Sequence, residues 1–263
     1  MMSPAEIRAV AEQLFEAEAN RTQIGILSLA HPEMDMDDAY AIQAALVDHK
    51  QGSGRSIIGW KIGLTSKAMQ HALNIDIPDS GILFDDMVFE NDARVPAGRF
   101  IQPRVEAEIA FVMSGDIAGA EVSGWDIIAA TDYVAPSLEI LDTRIKRMDP
   151  ETGKTRTVFD TIADNAANAG VVLGPKLLGW QNINWDNHPV RLNYNGAEES
   201  ATTGEAMGNP FNALAAVLNN LSKRKIAAKK GQVVITGSTL KTRFAAAGDR
   251  ARYSIGELGA VEI

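Results

Sequence analysis

The stretch "RVEAEIAFVM", Arg104 to Met113, decides the class of the fold. Val105, Ala107, Ile109 and Phe111 alternate with Arg104, Glu106, Glu108 and Ala110, the two-residue period of a β-strand with two distinct faces. Glutamates at i and i+2 then point the same way, roughly 7 Å apart along the strand. On a solvated face that arrangement is ordinary. Beside a cation it is a binding site.

On the N-terminal side the pattern is helical. Ser3 is placed to cap a helix, with Pro4 at its first position and Glu6 completing a capping box. Ile7, Val10, Ala11, Leu14 and Phe15 follow at helical spacing. Asp35, Asp37 and Asp38 suit the start of a second helix, which turns Ala41, Ile42, Ala45 and Leu46 inward and stops at "QGSG". The chain then becomes strand-rich. "IIGWKIGL" alternates Ile58, Trp60, Ile62 and Leu64 against Gly59, Lys61, Gly63 and Thr65. "WDIIAATDYVAPSLEILD" reads as a short helix running into an extended segment, where Pro136 argues against a central-strand position. "AGVVLG", "VRLNYNG" with its Asn-Gly turn, "GQVVITGS" and "ARYSIGELGAVEI" are further strands. One late helix starts at Asn209 and Pro210. "DTRIKRMDPETGKTRTV", residues 142–158, is polar and turn-rich and reads as a mobile surface loop. Strict βαβ alternation is absent. The fold class expected is α+β: a small helical N-terminal part, residues 1–75, and a larger mixed-β core, residues 76–263, with the Lys61 strand contributing to the site.

Composition narrows the function. A net charge of −9 over 263 residues argues against nucleic acid, which needs a basic stripe, and against an anionic membrane surface. With no cysteine there is no disulfide, thiolate metal site or cysteine nucleophile. No apolar run approaches a spanning helix and "MMSPAEIRAV" lacks the pattern of a signal peptide, so a cytoplasmic protein is expected.

The residues that could carry chemistry are few. Glu106, Glu108 and Glu139 interrupt apolar segments. They are either solvated glutamates or the oxygen donors that suit Mg²⁺ or Mn²⁺. His31, His49, His71 and His188 are scattered and form no HxH or HExxH spacing. Lys61 shares a strand face with Gly59 and Gly63. It is either a lysine on a wet face or a cation in a glycine-lined pocket, able to hold a carboxylate or move protons. Asp79 in "IPDSG" reads by default as a turn residue, and "DTIADNAANAG" as a capped helix start. No GxGxxG, P-loop or GxSxG is present.

Taken in order, "GWKIGLTSKAMQ", "GILFDDM", "PRVEAEIAFV", "ATDYVAPSLEILD" and "FDTIADNAANAGVVLG" resemble the hydratase/decarboxylase branch of the fumarylacetoacetate hydrolase superfamily. The resemblance runs from about the first helix to the C-terminus. It implies a lyase that processes 2-hydroxy-dienoates and 2-oxo-enoates in meta-cleavage degradation of aromatic compounds, and a homo-oligomer. Mg²⁺ or Mn²⁺ would be held by Glu106, Glu108 and Glu139, with Lys61 as the active-site lysine. Asp79 stands where related decarboxylases carry an apolar residue, which favours water addition with Asp79 as base. The loop "DPETGKTRTVFD" is similar to that of hydratases acting on 2-oxohept-4-ene-1,7-dioate. A dicarboxylate needs a distal cation, and Arg144, Lys146, Arg147, Lys154 and Arg156 lie there. Leu64, Asp164, Asn165, Arg144 and Arg156 are expected to touch substrate, and residues 160–168 to close over the site as a lid. The chain departs from the pattern at Ser80, which replaces a tyrosine, at Asn209, where histidine is usual, and in "TGSTLKTRFAAAGD", which lacks a proline. Alternatives within the branch are 2-hydroxypenta-2,4-dienoate hydration and decarboxylation of a 2-oxo-enedioate. Outside it stands an inactive metal-binding partner subunit.

Overall fold

Ser3 and Glu6 cap each other's end of the first helix as their spacing requires, and Asp35 and Asp38 do the same for the third. The computed structural model describes residues 1–63, 78–119 and 121–263. Its helices are α1 (Pro4–Asn20), α2 (Leu27–Ala30), α3 (Met36–Gly52), α4 (Gly124–Ala130), α5 (Val158–Ala163) and α6 (Pro210–Lys223). The strands are β1 (Ile57–Gly63), β2 (Asp79–Phe84), β3 (Val88–Phe89), β4 (Arg104–Met113), β5 (Thr131–Leu141), β6 (Asn168–Leu173), β7 (Pro189–Tyr194), β8 (Ala197–Thr202), β9 (Val233–Ile235), β10 (Arg243–Phe244), β11 (Ala251–Ile255) and β12 (Gly259–Glu262). None of the described helices is long and apolar enough to cross a membrane.

The α+β architecture is as expected. A mixed sheet runs β2-β1-β9-β4-β5-β6-β3, with β10 also paired to β4, and a second antiparallel sheet runs β12-β11-β7-β8. One face of β4, carrying Val105, Ala107, Ile109, Phe111 and Met113, packs against the second sheet and α6 through Val190, Leu192, Tyr253, Leu214 and Val217. The helical part is not closed on itself. Val10, Leu14, Ile42 and Leu46 share a core with Ile145 and Ala163 from much later in the chain. The expected boundary near residue 75 lies outside the described residues.

Three expectations change. The second face of β4 is not wet. Ala110 and Val112 lie in an apolar cluster with Leu83, Val171 and Ile235, and Glu108 on the same face is fully buried. Pro136 sits within a central strand, opposite Ile109 of β4 and beside the end of β6. Its carbonyl accepts from Gly174, just past β6, so its missing N–H falls at the very end of the β6 pairing and costs one terminal bond and none within the ladder. Residues 142–158 are not a free loop. Asp142, Thr143, Arg144 and Ile145 are buried, and the segment returns on itself through a bridge between Met148 and Thr155. The Asn-Gly turn behaves as predicted, with positive φ at Asn195 and Gly196, and leads into β8, whose polar "AEESAT" shows no alternation.

Candidate metal centre and active site

Strand register builds the acidic cluster. β4 and β5 pair so that Glu106 faces Glu139 and Glu108 faces Ser137, which puts all three glutamates on one face. Each offers a carboxylate oxygen within 4.8 Å of the others. β9 ends at Ile235, opposite Lys61 of β1 on one side and Ala110 of β4 on the other. Beyond that point no described strand fills the space between β1 and β4. Gly237 turns there with φ +87 and donates its N–H to Glu108 Oε2 at 2.9 Å. The Thr242 hydroxyl donates to Glu106 Oε1.

Lys61 reaches across that space, its Nζ 3.5 Å from Glu139 Oε1 and its side chain 4% exposed. Asp79 lies opposite Gly63 in the β1–β2 ladder, and Lys61 opposite Gly81. Both glycines are required by the packing. A Cβ on Gly63 would fall 2.1 Å from Asp79 Oδ1 and 3.2 Å from Lys61 Nζ, and one on Gly81 would fall 2.7 Å from the Asn165 carbonyl. Of the two glycines read beside the lysine in "GWKIG", Gly63 borders Lys61 together with Gly81, whereas Gly59 abuts the β9 backbone at Val233, and Asp79 is a buried strand residue rather than a turn.

The cluster holds more negative charge than its own groups satisfy. Glu106, Glu108, Glu139 and Asp79 surround Lys61, among the described residues the one buried cation at their centre. Glu108 Oε1, both oxygens of Glu139 and Asp79 Oδ1 are buried with no hydrogen-bond partner. Burial, reinforced by Glu139 and Glu106, pushes Glu108 well up. Burial raises Glu139 to about 7 against the pull of Lys61. Burial also raises Asp79, with Lys61 and the Gly63 N–H opposing. For Lys61 burial opposes charge, but Glu139 and Asp79 outweigh it and the ammonium is held more tightly than usual. Orphaned carboxylate oxygens converging from three strand positions are what a hard, oxygen-ligated dication requires, and this donor set fits one. A cavity of about 720 Å³ opens beside Glu106, lined among others by Gly63, Ser238, Thr239 and Lys241.

The remaining expected contacts divide differently. Arg144 is buried. Its Nε meets Asp164 Oδ1 at 2.5 Å, Nη1 donates to the Asn168 carbonyl at 3.0 Å and Nη2 to the Asp164 carbonyl at 2.7 Å. Asp164 is saturated in turn by Arg144 and Thr143. All three Arg144 side-chain nitrogens and both Asp164 carboxylate oxygens are thus bonded within the chain. Asn165 is also withdrawn, because its amide both accepts from and donates to the Ile82 backbone, at 2.8 and 2.9 Å. Asn165, Ala166 and Ala167 all have positive φ, a tight reversal that clamps β2 and hence Asp79 in place. Residues 160–168 are thus an internal clamp and not a lid. Arg156 stays near the site, with Nη1 on the Thr143 hydroxyl and its charge acting on Asp79. Leu64 lies outside the described residues. Sequence reasoning missed Gly237 and Thr242. The available signal was a hydroxyl-rich, glycine-punctuated run directly after a buried apolar strand.

Residues 44–263 match the family model described as fumarylacetoacetate (FAA) hydrolase C-terminal. The chain belongs to the fumarylacetoacetate hydrolase family. Among its relatives, the 2-oxo-hept-4-ene-1,7-dioate hydratase of Escherichia coli is 40% identical over 253 residues, 96% of this chain and 95% of that one. The 2-hydroxyhexa-2,4-dienoate hydratase of Comamonas testosteroni is 36% identical, covering 98% and 96%. Among solved structures, the 4-oxalocrotonate decarboxylase from Pseudomonas putida G7 complexed with magnesium and adipate superposes with a TM-score of 0.92 at 28% identity, covering 100% of this chain and 98% of that one. The same decarboxylase has also been solved with calcium and acetate. Sequence relatives named hydratases and a structural neighbour that is a decarboxylase thus both resemble this chain, and family membership leaves the reaction to be argued from the site.

Proposed function

We propose that this family member is a divalent-metal-dependent hydro-lyase. It adds water to a 2-hydroxy-dienoate or its 2-oxo-enoate tautomer, giving a 4-hydroxy-2-oxo acid in meta-cleavage degradation of aromatic compounds. The preferred substrate is a dicarboxylate of the 2-oxohept-4-ene-1,7-dioate type. The observation that carries this reading is Asp79, a buried carboxylate with one free oxygen beside Lys61 and facing the three glutamates.

Glu106, Glu108 and Glu139 would hold Mg²⁺ or Mn²⁺, which supplies fixed positive charge against the negative charge that develops on the substrate's 2-oxygen. Lys61, kept protonated by its acidic neighbours, orients the substrate carboxylate next to that charge. The 2-hydroxy-diene ketonises to a conjugated 2-oxo-enoate, with a proton passing from the 2-hydroxyl to C5. Water then adds at C4. Asp79 takes the water proton, and its raised pKa makes it a better base than an exposed aspartate. The proton goes on to C3, and Gly63 leaves the room for that approach.

Decarboxylation is the second reading, favoured by the likeness to the Pseudomonas enzyme. Loss of CO₂ needs a site for developing negative charge but no base to deprotonate water, so the free oxygen of Asp79 supports hydration. The test follows dienoate absorbance with Mg²⁺ and with EDTA and identifies the product by mass. A 4-hydroxy-2-oxo acid formed only with metal is expected. CO₂ release establishes the decarboxylase instead, and full activity in EDTA removes the metal. Failure to turn over any 2-oxo acid despite Mg²⁺ binding leaves a non-catalytic partner subunit. In an Asp79→Asn variant kcat falls about 10²- to 10⁴-fold with Mg²⁺ affinity retained, and unchanged hydration excludes Asp79 as base.

A further inference from the structure

Building on the proposal that the substrate carries a second carboxylate, we propose that Arg104, Arg147 and Arg156 together form the subsite that holds it, with no part played by Arg144. Arg104 opens β4 on the same face as Glu106, two residues and about 7 Å along the strand. An extended seven-carbon chain spans about 8 Å at ordinary C–C bond lengths, the same scale. Arg104 pairs with Leu141, the last residue of β5, and the 142–158 segment leaves the sheet at that point. The segment is a ribbon. The Arg156 N–H donates to the Arg147 carbonyl at 3.0 Å, and Met148 bridges to Thr155, so Arg147 and Arg156 stand across from each other. The Arg156 head is anchored at the ribbon base on Thr143.

Arg55, Arg191, Arg243 and Arg252 each lie within ion-pair distance of an aspartate or glutamate. Among the described residues Arg8, Arg21, Arg94 and Arg250 lack an ion pair but are exposed, and half-buried Arg99 and Arg224 donate to the Asp86 carbonyl and to Ser80 and Asn220 respectively. Arg104, Arg147 and Arg156 are half-buried with no described carboxylate that close, in a chain of net charge −9. The Nε atoms of Arg104 and Arg147 are buried with no hydrogen-bond partner. The Arg104 guanidinium lies 4.1 Å over the Phe244 ring, which limits its freedom. Burial first, then the charges of Arg156 and Arg104, bring Arg147 down to about 10, the mark of cations crowded without a counter-ion. Planar, forked donors suit a carboxylate and are pre-organised for it.

Calorimetry on the Mg²⁺-loaded protein, with adipate and with hexanoate, tests this. The two probes have equal chain length and differ by one carboxylate. Wild type is expected to bind adipate at least about tenfold more tightly than hexanoate, and Arg147→Met and Arg104→Met are each expected to lose about tenfold for adipate and nothing for hexanoate. Two separate variants guard against one failing to fold, which urea unfolding reports. Equal wild-type affinity for the two probes, or variants that bind adipate as wild type does, overturns the proposal. The readout needs no turnover. An adipate preference lost in both variants of a protein that hydrates no dienoate keeps the subsite and discards the reaction, whereas hydration with an unaltered preference does the reverse.

Discussion

Two buried clusters of charge lie within the same fold and have opposite character. Around Arg144 and Asp164 every side-chain nitrogen and oxygen has a partner, and each charge faces its opposite. Around Glu108 and Glu139 carboxylates face carboxylates, and three of their four oxygens have no hydrogen bond. Both clusters are equally far from water, so burial alone does not separate them. Saturation does. A charge pair satisfied by its own chain holds the structure together, while a cluster the chain leaves unsatisfied is built for something that arrives later.

The sharpest way to break that contrast is Glu108→Gln. The amide oxygen can still accept from Gly237, and the amide donates to an orphaned neighbour, so metal-free stability should rise. Each pKa unit of strain relieved is worth about 1.4 kcal/mol, and a gain of at least about 1 kcal/mol in urea unfolding is expected. Metal-dependent turnover should fall to background. A destabilised metal-free variant would show that the acidic cluster is structural after all. Arg144→Met should do the opposite. It leaves Asp164 buried and unpaired, at a cost of about 3–5 kcal/mol in urea unfolding, and Mg²⁺ affinity measured below the transition should stay within about twofold of wild type. A small stability loss with large loss of Mg²⁺ affinity would make Arg144 part of the site.

The pH response is the third and mildest test. Burial holds Glu139 at about 7 in the folded protein against an ordinary 4.5. Between those values the native state keeps a proton that the unfolded chain has lost. Metal-free stability therefore falls as pH rises through that window. Mg²⁺ replaces the proton, so it should raise the melting temperature more at pH 8 than at pH 5, with protons released on binding. A Mg²⁺ shift independent of pH would show that the glutamates are already ionised without metal.

Local patterns were legible. The bounds of β4 follow from its alternation, and the caps at Ser3, Asp35 and Asn209 from side chains that bond to backbone two or three residues away. Glu106 and Glu108 could be placed on one face because they share a strand. Patterns that depend on a distant partner were not legible. Pro136 contradicts a central strand until β6 is seen to end beside it. Arg144 and Arg156 look alike on one polar segment, but only Arg144 has a buried aspartate waiting. β8 carries no apolar alternation and pairs because the Asn195-Gly196 turn brings it back on β7.

The sequence by itself determined the helix starts, most of the strands, the hard-oxygen character of the donors and, through its ordered motifs, the family. Tertiary structure alone decided that Glu139 stands opposite Glu106, that Lys61 bridges to it past the end of β9, and that Gly237 and Thr242 hold the glutamates in place. It also decided which arginines are spent and which remain without a carboxylate. The physical reason is range. Caps, turns and alternation arise within a few residues, whereas the state of a buried charge depends on every group that the fold brings within a few ångströms, wherever those groups lie in the chain.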